Sequence, residues 1–357
     1  MEQIKTVIPP HLIHQKRYLI GQLGAFGDCL YATTVACQIK TDFPDCHLTW
    51  AIGSRYRSIL DGNPYIDAIW ELPLSAGEDM VPCWEQFEKE ALERKNSGDF
   101  DEIFFTQIYP NNFKNFDGTV RSSIFRGYNR PITVPVAPVL FLSEAEIENV
   151  RSFADSYTLR DKKQVILFEC SPKSNQSFVT LTFAQDVSKK IIKKNPDCCI
   201  ILSSNESFHP DNRNIIDGSK LSFRENAELS KYCTLLIGCS SGVSWLCTSA
   251  WAKPLPMVQL LKKATGSYAS FVHDYNYHGL DTRMIIEMTD CPAEKVSACI
   301  QNIFSEGFEV ARKKYHQQVR VHLFFYLSII GWNVIRKGKF QETIQSLNHF
   351  INRWFFR

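Results

Sequence analysis

The sequence has almost no net charge, no CxxC cysteine pair and no long apolar run, and each absence removes a class of function. Forty Lys plus Arg against 38 Asp plus Glu leave the 357 residues at +2. With so little basic excess, the whole chain has no electrostatic drive toward nucleic acid, and no nucleic-acid partner is expected. The twelve cysteines never form a CxxC pair, which argues against a zinc site. His273 to His278 holds ligand-type residues at irregular spacing with no third partner nearby, so no metal is expected there either. Residues 1–10 carry Glu2 and Lys5 where a secretory signal would have an apolar core. A cytoplasmic location with reduced thiols is therefore the expectation. The longest uncharged stretch near the C-terminus, 321–335, would rise about 22 Å as a helix, too short to span a bilayer.

What is present is a globular composition, 44% apolar and 22% charged, over enough chain for two cores. Short β-type apolar runs at 17–23, 47–52, 68–72 and 101–106 alternate with helical stretches at 28–40 and 84–95. Such alternation implies βαβ crossovers and a parallel, doubly wound sheet. It pauses at 130–138, which holds three prolines, at a polar helix over 143–157, and at the charged segment 159–163. It then resumes with strands at 164–168, 198–202 and 234–237 and helices at 182–194 and 223–231, and a further helix opens at Ser240. The expected fold is α/β, two Rossmann-like domains at 1–150 and 151–305 with a C-terminal helical extension at 306–357. Doubly wound sheets place ligands beyond their strand carboxyl ends, so the cleft between the domains is the expected site.

The extension differs in character from the body. Residues 309–357 hold nine Lys or Arg against two Glu, a net +7, which leaves −5 for the remainder. Phe340, Ile344, Leu347, Ile351 and Trp354 repeat at helical spacing and predict one apolar stripe. Three readings stay open: packing on the first domain, peripheral contact with an anionic inner membrane surface, or docking to a partner.

The sharpest local signal is Gly21-Gln-Leu-Gly-Ala-Phe-Gly-Asp28. Gly24 and Gly27 suit a tight strand-to-helix turn, and Asp28 falls at or near the helix start, where a carboxylate faces the cleft. It is either a helix cap or an acid/base group. The glycine spacing is wrong for a dinucleotide fingerprint, and a carboxylate there would repel a pyrophosphate.

Three segments carry a resemblance: 23–34 with Gly-Ala-Phe-Gly-Asp-Cys-Leu, 43–53 with Phe-Pro-Asp-Cys-His, and Asn63-Pro-Tyr-Ile-Asp67. In order and spacing they resemble the opening of the bacterial lipopolysaccharide heptosyltransferases, glycosyltransferase family 9. The resemblance implies the GT-B fold and an inverting, metal-independent transfer from a nucleotide-diphospho-sugar to a glycan or glycolipid acceptor, with no other cofactor. It assigns Asp28 as general base, with Gly24 and Gly27 in the acceptor-side loop. Residues 236–254 are similar to the family's donor motif, but Ser240 stands where the family has Asp and Trp245 where it has His, while Ser241 and Gly242 keep the pattern. That implies diphosphate binding at Ser240, Ser241 and Gly242 and an altered sugar contact. The loop 168–177 corresponds to a phosphate-binding loop, with Lys173 or Ser174 as its ligand group, and Glu206 is the candidate for the donor ribose. Two alternatives remain: a nucleotide-sugar epimerase or hydrolase on the same fold, and a catalytically inactive adaptor that works through its basic aromatic tail.

Overall fold

A computed structural model describes residues 15–74, 79–110, 112–172, 175–265, 267–319 and 321–355, with backbone only for 333–337. The first sheet is built from β1 (Arg17–Gly21), β2 (His47–Gly53), β3 (Ala68–Leu72) and β4 (Glu102–Phe105). All pair in parallel in the order β3-β2-β1-β4. Crossovers supply α1 (Phe26–Asp42) and α2 (Met80–Asn96), and α3 (Arg121–Arg126) follows β4. β1 is central and apolar because α1 covers one face and α2 the other; Leu19 and Ile20 are fully buried. The proline-rich segment 130–138 runs across α1, where Gln38 Oε1 accepts from the Thr133 and Val134 amides at 2.6 and 3.0 Å.

α4 (Glu144–Ser156) carries the chain from the first sheet to the second, and residue 150, the expected domain boundary, lies within it. Its start is a capping box between Ser143 and Glu146. The second sheet is also parallel, in the order β10-β9-β8-β5-β6-β7. Its strands are β5 (Gln164–Glu169), β6 (Cys198–Ser203), β7 (Ile215–Asp217), β8 (Leu235–Gly238), β9 (Met257–Leu261) and β10 (Ile285–Thr289). Between them lie α5 (Leu181–Lys194), α6 (Glu225–Leu229), α7 (Gly242–Leu246) and α8 (Phe271–Tyr277), and α9 (Ala293–Glu306) and α10 (Phe308–Tyr315) follow β10. The expected two-sheet α/β architecture is the one observed.

One apolar cluster runs through both halves. It joins Ile20, Tyr31 and Trp50 of the first sheet's α1 side to Leu167, Ile201, Trp245 and Phe271 of the second, and on to Tyr326 and Phe350 of the extension. The extension forms a helical hairpin, α11 (Leu323–Lys337) and α12 (Phe340–Phe355). α12 lies against residues 113–118 of the first half: Ser346 Oγ donates to the Phe116 carbonyl at 2.5 Å, and Trp354 Nε1 to that of Asp117 at 3.2 Å. The predicted stripe on α12 is split. Phe350 and, beside it, Leu347 and Trp354 turn inward, whereas Phe340, Ile344 and Ile351 are exposed. The buried arc of α12 is set by Ser346, Phe350 and Arg353, so the helix is rotated from the orientation that a single apolar seam predicts. No helix among the described residues is long and apolar enough to cross a membrane.

Candidate active site

A cavity of about 670 Å³ opens between the strand carboxyl ends of the two sheets. Its walls come from the β1–α1 turn, residues 119–121, the ends of β5 and β6, and the β8–α7 turn.

Asp28 stands on this wall, as the third residue of α1. The N-cap is Ala25, and the Asp28 carboxylate accepts the Ala25 backbone N–H, the half of a capping box that an acidic third residue supplies. Asp28 thus makes the capping contact, the first of the two roles left open above, and does so on the cavity wall. Burial outweighs that hydrogen bond and pushes its carboxyl from 3.8 up to about 7. The turn is held from below: Gln107 Oε1 accepts from the Leu23 and Gly24 amides and from Gln22 Nε2, at 2.8 to 3.1 Å. Neither Gly24 nor Gly27 has positive φ; the turn is made without left-handed residues. Gly24 is required for another reason, because a Cβ there would lie 2.4 Å from Tyr56 Cε2. At Gly27 the nearest atom to such a Cβ would be Trp245 Cδ1, at 4.0 Å.

Ser240, Ser241 and Gly242 line the opposite wall, but the Ser240 side chain is not available to a ligand. Ser240 is buried at φ +49°, its Oγ donates to the Ala269 carbonyl at 2.7 Å and its N–H to Gln259 Oε1 at 2.8 Å. With its hydroxyl turned into the fold, Ser240 is a scaffold residue where a ligand contact was expected. Ser241 caps α7 through its backbone only, and a Cβ on Gly242 would meet Phe223 at 2.8 Å.

Glu169, which the sequence reading did not single out, organises this turn. The last residue of β5, it is buried and accepts from the Cys239 and Val243 amides, both at 2.9 Å, and from Ser244 Oγ at 2.5 Å. An internal carboxylate therefore occupies part of the amide cradle at the start of α7, leaving the Ser241 and Gly242 amides without an acceptor among the described residues. Burial raises the Glu169 pKa against the pull of those donors. The available signal was an acidic residue closing an otherwise apolar strand.

Glu206 is exposed and lies outside the cavity wall, which Ser204 and Asn205 form in its place. The Glu206 amide donates to Ser204 Oγ at 3.0 Å. Lys173 and Ser174 lie outside the described residues; on either side of them Ser171 and Gln176 line the cavity.

A second unpredicted pair closes the seam. Arg121 of α3 is 2% exposed, and its Nη1 lies 3.3 Å from Asp274 Oδ2 of α8. The guanidinium sits over Trp245 at 4.7 Å and Tyr31 at 5.0 Å. Trp245 stacks on Phe271 with centroids 3.6 Å apart. Trp245 thus packs against Phe271, Tyr31 and the Arg121 guanidinium and joins the two halves. Among the described residues no group of three or more His, Cys, Asp or Glu side chains could hold a metal. All twelve cysteines are free and ten are buried; burial pushes thiols such as Cys199 and Cys291 up to about 11, which keeps them protonated.

No family model and no curated protein matches the chain. Solved structures do. A glycosyl transferase family 9 protein from Veillonella parvula is 13% identical, covers 84% of this chain and 94% of its own, and superposes with a TM-score of 0.56. The ADP-heptose lipopolysaccharide heptosyltransferase II of E. coli is 11% identical over 82% of this chain and 99% of its own, at 0.53. A protein from Listeria monocytogenes assigned as a UDP-N-acetylglucosamine 2-epimerase is 8% identical over 91% and 98%, at 0.51. These likenesses bear out the expected GT-B fold.

Proposed function

We propose that the chain is a glycosyltransferase that moves a sugar from a nucleotide-diphospho-sugar to a hydroxyl of a glycan or glycolipid, in lipopolysaccharide or related surface polysaccharide synthesis. The observation that carries the reading is Asp28, a carboxyl with a pKa of about 7 on the wall of the interdomain cavity. A group of that basicity accepts a proton from an attacking hydroxyl more readily than an ordinary carboxylate does. The acceptor hydroxyl would approach from the β1–α1 side, lose its proton to Asp28 and attack the anomeric carbon from the face opposite the diphosphate, with inversion. The Ser241 and Gly242 amides support a seat for the leaving diphosphate, where fixed donors meet developing negative charge. No step in this scheme calls on a metal.

Asp28→Asn keeps the size of the side chain and removes the base. It should bind nucleotide diphosphate as the wild type does and lose at least about 100-fold in transfer rate; turnover near the wild-type level would remove Asp28 from the mechanism. The 91% coverage by an assigned epimerase favours a second reading, a nucleotide-sugar epimerase or hydrolase. That enzyme would consume donor with no acceptor present, which a nuclear magnetic resonance time course separates from transfer.

A further inference from the structure

One polar group on the cavity wall has no partner in the fold. Tyr31 stands on α1, lines the cavity and is 5% exposed. Its hydroxyl makes no hydrogen bond among the described residues, yet it is not sealed inside the protein either. The accessible part of the side chain therefore includes the phenol oxygen. A nearly buried hydroxyl without a partner costs stability unless a ligand or water takes up its hydrogen bond. Other buried polar groups on this wall are committed to the protein, as Ser240 and Glu169 are.

The ring that carries this hydroxyl is fixed in place. Trp245 of the second half meets it edge to face with centroids 4.8 Å apart, and the Arg121 guanidinium of the first half lies 5.0 Å from its centroid. A group held this way loses little freedom when it binds. Tyr31 follows Asp28 by three positions, which sets the two on one face of α1 with Cβ atoms roughly 5–6 Å apart. Side chains on a helix lean toward its N-terminus, so Tyr31 leans toward the turn that carries Asp28. Burial, against the pull of the Arg121 charge, holds the phenol pKa well above the ordinary 10. The group stays an O–H donor wherever Asp28 is ionised. A hydrogen-bond donor and an acceptor thus stand one helical turn apart on the same wall.

We infer that Tyr31 is a binding residue for the acceptor sugar, donating to a second oxygen of the ring whose hydroxyl is deprotonated by Asp28. It thereby sets which hydroxyl of that ring is glycosylated. The inference rests on the transferase reading and on Asp28 as its base. Two oxygens on one pyranose ring match the spacing of the two side chains. A donor phosphate is the poorer match, because the ionised Asp28 one turn away would repel it, whereas a sugar oxygen is neutral.

The test uses Tyr31→Phe, which removes the hydroxyl and keeps the ring between Trp245 and Arg121. Wild type is screened with ADP-, UDP- and GDP-linked sugars and a deacylated lipopolysaccharide core oligosaccharide as acceptor, and the pair that turns over is carried forward. Tyr31→Phe should raise KM for the acceptor about three- to tenfold and leave KM for the donor unchanged. Its melting temperature should equal that of wild type, since no contact within the protein is lost, and its product should show more than one linkage by nuclear magnetic resonance. Among monodeoxy analogues of the acceptor's terminal sugar, one should cost wild type the same factor and cost Tyr31→Phe nothing further. The inference is overturned if the variant matches wild type in acceptor KM and linkage, if donor KM rises instead, or if every deoxy analogue weakens both proteins alike. Absence of wild-type turnover with every pair would remove the transferase reading itself, and this inference with it.

Discussion

Asp28 is held between two demands, a helix start that wants an anion and a buried wall that resists one. Burial prevails, so the folded pKa of about 7 lies above the ordinary 3.8. In the proposed transfer Asp28 works ionised, and the rate should therefore fall on the acid side with an apparent pKa near 7 in a pH–rate profile. The stability effect has the opposite sign. The fold prefers the protonated form, so the cost of ionisation is absent below about pH 4 and complete above about pH 7. Asp28→Asn should match wild type in denaturant unfolding at pH 4 and exceed it by about 1–2 kcal/mol at pH 8, a figure discounted for the side chain's partial exposure. Equal stability at pH 8 would mean that the ionised carboxylate is well solvated. Glu169 behaves differently because three donors point at it. Glu169→Gln sets an amide NH₂ against one of those donors and should cost about 2–3 kcal/mol. By loosening the turn at 239–243, it should also weaken nucleotide diphosphate binding, measurable by calorimetry. Unchanged stability and affinity would show that the turn holds itself.

At the scale of elements, the strands that were legible are those with a run of apolar residues bounded by turn residues, such as Val165–Phe168 of β5 and Cys198–Leu202 of β6. Three escaped. β7 has three residues, below the length at which periodicity exists, and β9 carries Gln259 at its centre, a fully buried amide that reads as a surface residue until its partner, the Ser240 N–H, is known. β10 is likewise interrupted by Glu287, which takes the Val272 amide and the Ser270 hydroxyl at the start of α8. Each buried polar residue is explained by a turn it supports in another element, and such pairings do not show in local sequence. The β1–α1 turn was legible as a turn, although its glycines were legible for the wrong reason. Conformational freedom is not what they supply; Gly24 makes room for Tyr56, and Gly27 is under no such constraint. Gly24→Ala should therefore lower stability by about 1–3 kcal/mol, since the Tyr56 ring, packed against Phe26, has to move. Gly27→Ala should stay within about 0.5 kcal/mol of wild type or gain slightly, through the lower helix cost of Ala. Thermal melts of both variants decide this, and an equal loss in the two would mean that the turn backbone itself needs glycine.

At the scale of the molecule, the two halves are joined by contacts between residues far apart in the chain, and this is why the cleft's composition was only half legible. Asp28 and the 240–242 turn stand at strand ends, where topology alone places a site; Arg121 and Asp274 meet only after both halves have folded. Two further arginines do the same work beside the cleft. Arg224 of the second half donates to Glu146 Oε1 at 2.7 Å and to the carbonyls of Ser58 and Asp61 at 2.8 and 2.9 Å in the first. Arg353 of α12 donates to Asp117 and Ser122 of the first half, at 3.1 and 2.7 Å, and to His273 of the second, at 3.0 Å. Both are buried, and the apolar cluster is continuous across the seam. Two domains tied in this way should unfold as one unit, in a single calorimetric transition, although 357 residues ordinarily allow two. Arg224→Ala removes every guanidinium donor and leaves Glu146 and the carbonyls of Ser58, Asp61 and Phe141 facing an unfilled, partly buried site. The expected cost is about 3–5 kcal/mol, and the expected signature is a split of the single transition into two. Arg224→Lys keeps the charge but cannot reach carbonyls and carboxylate together, so it should fall between. If Arg224→Ala melts in one transition within about a degree of wild type, the seam is held by the apolar cluster alone.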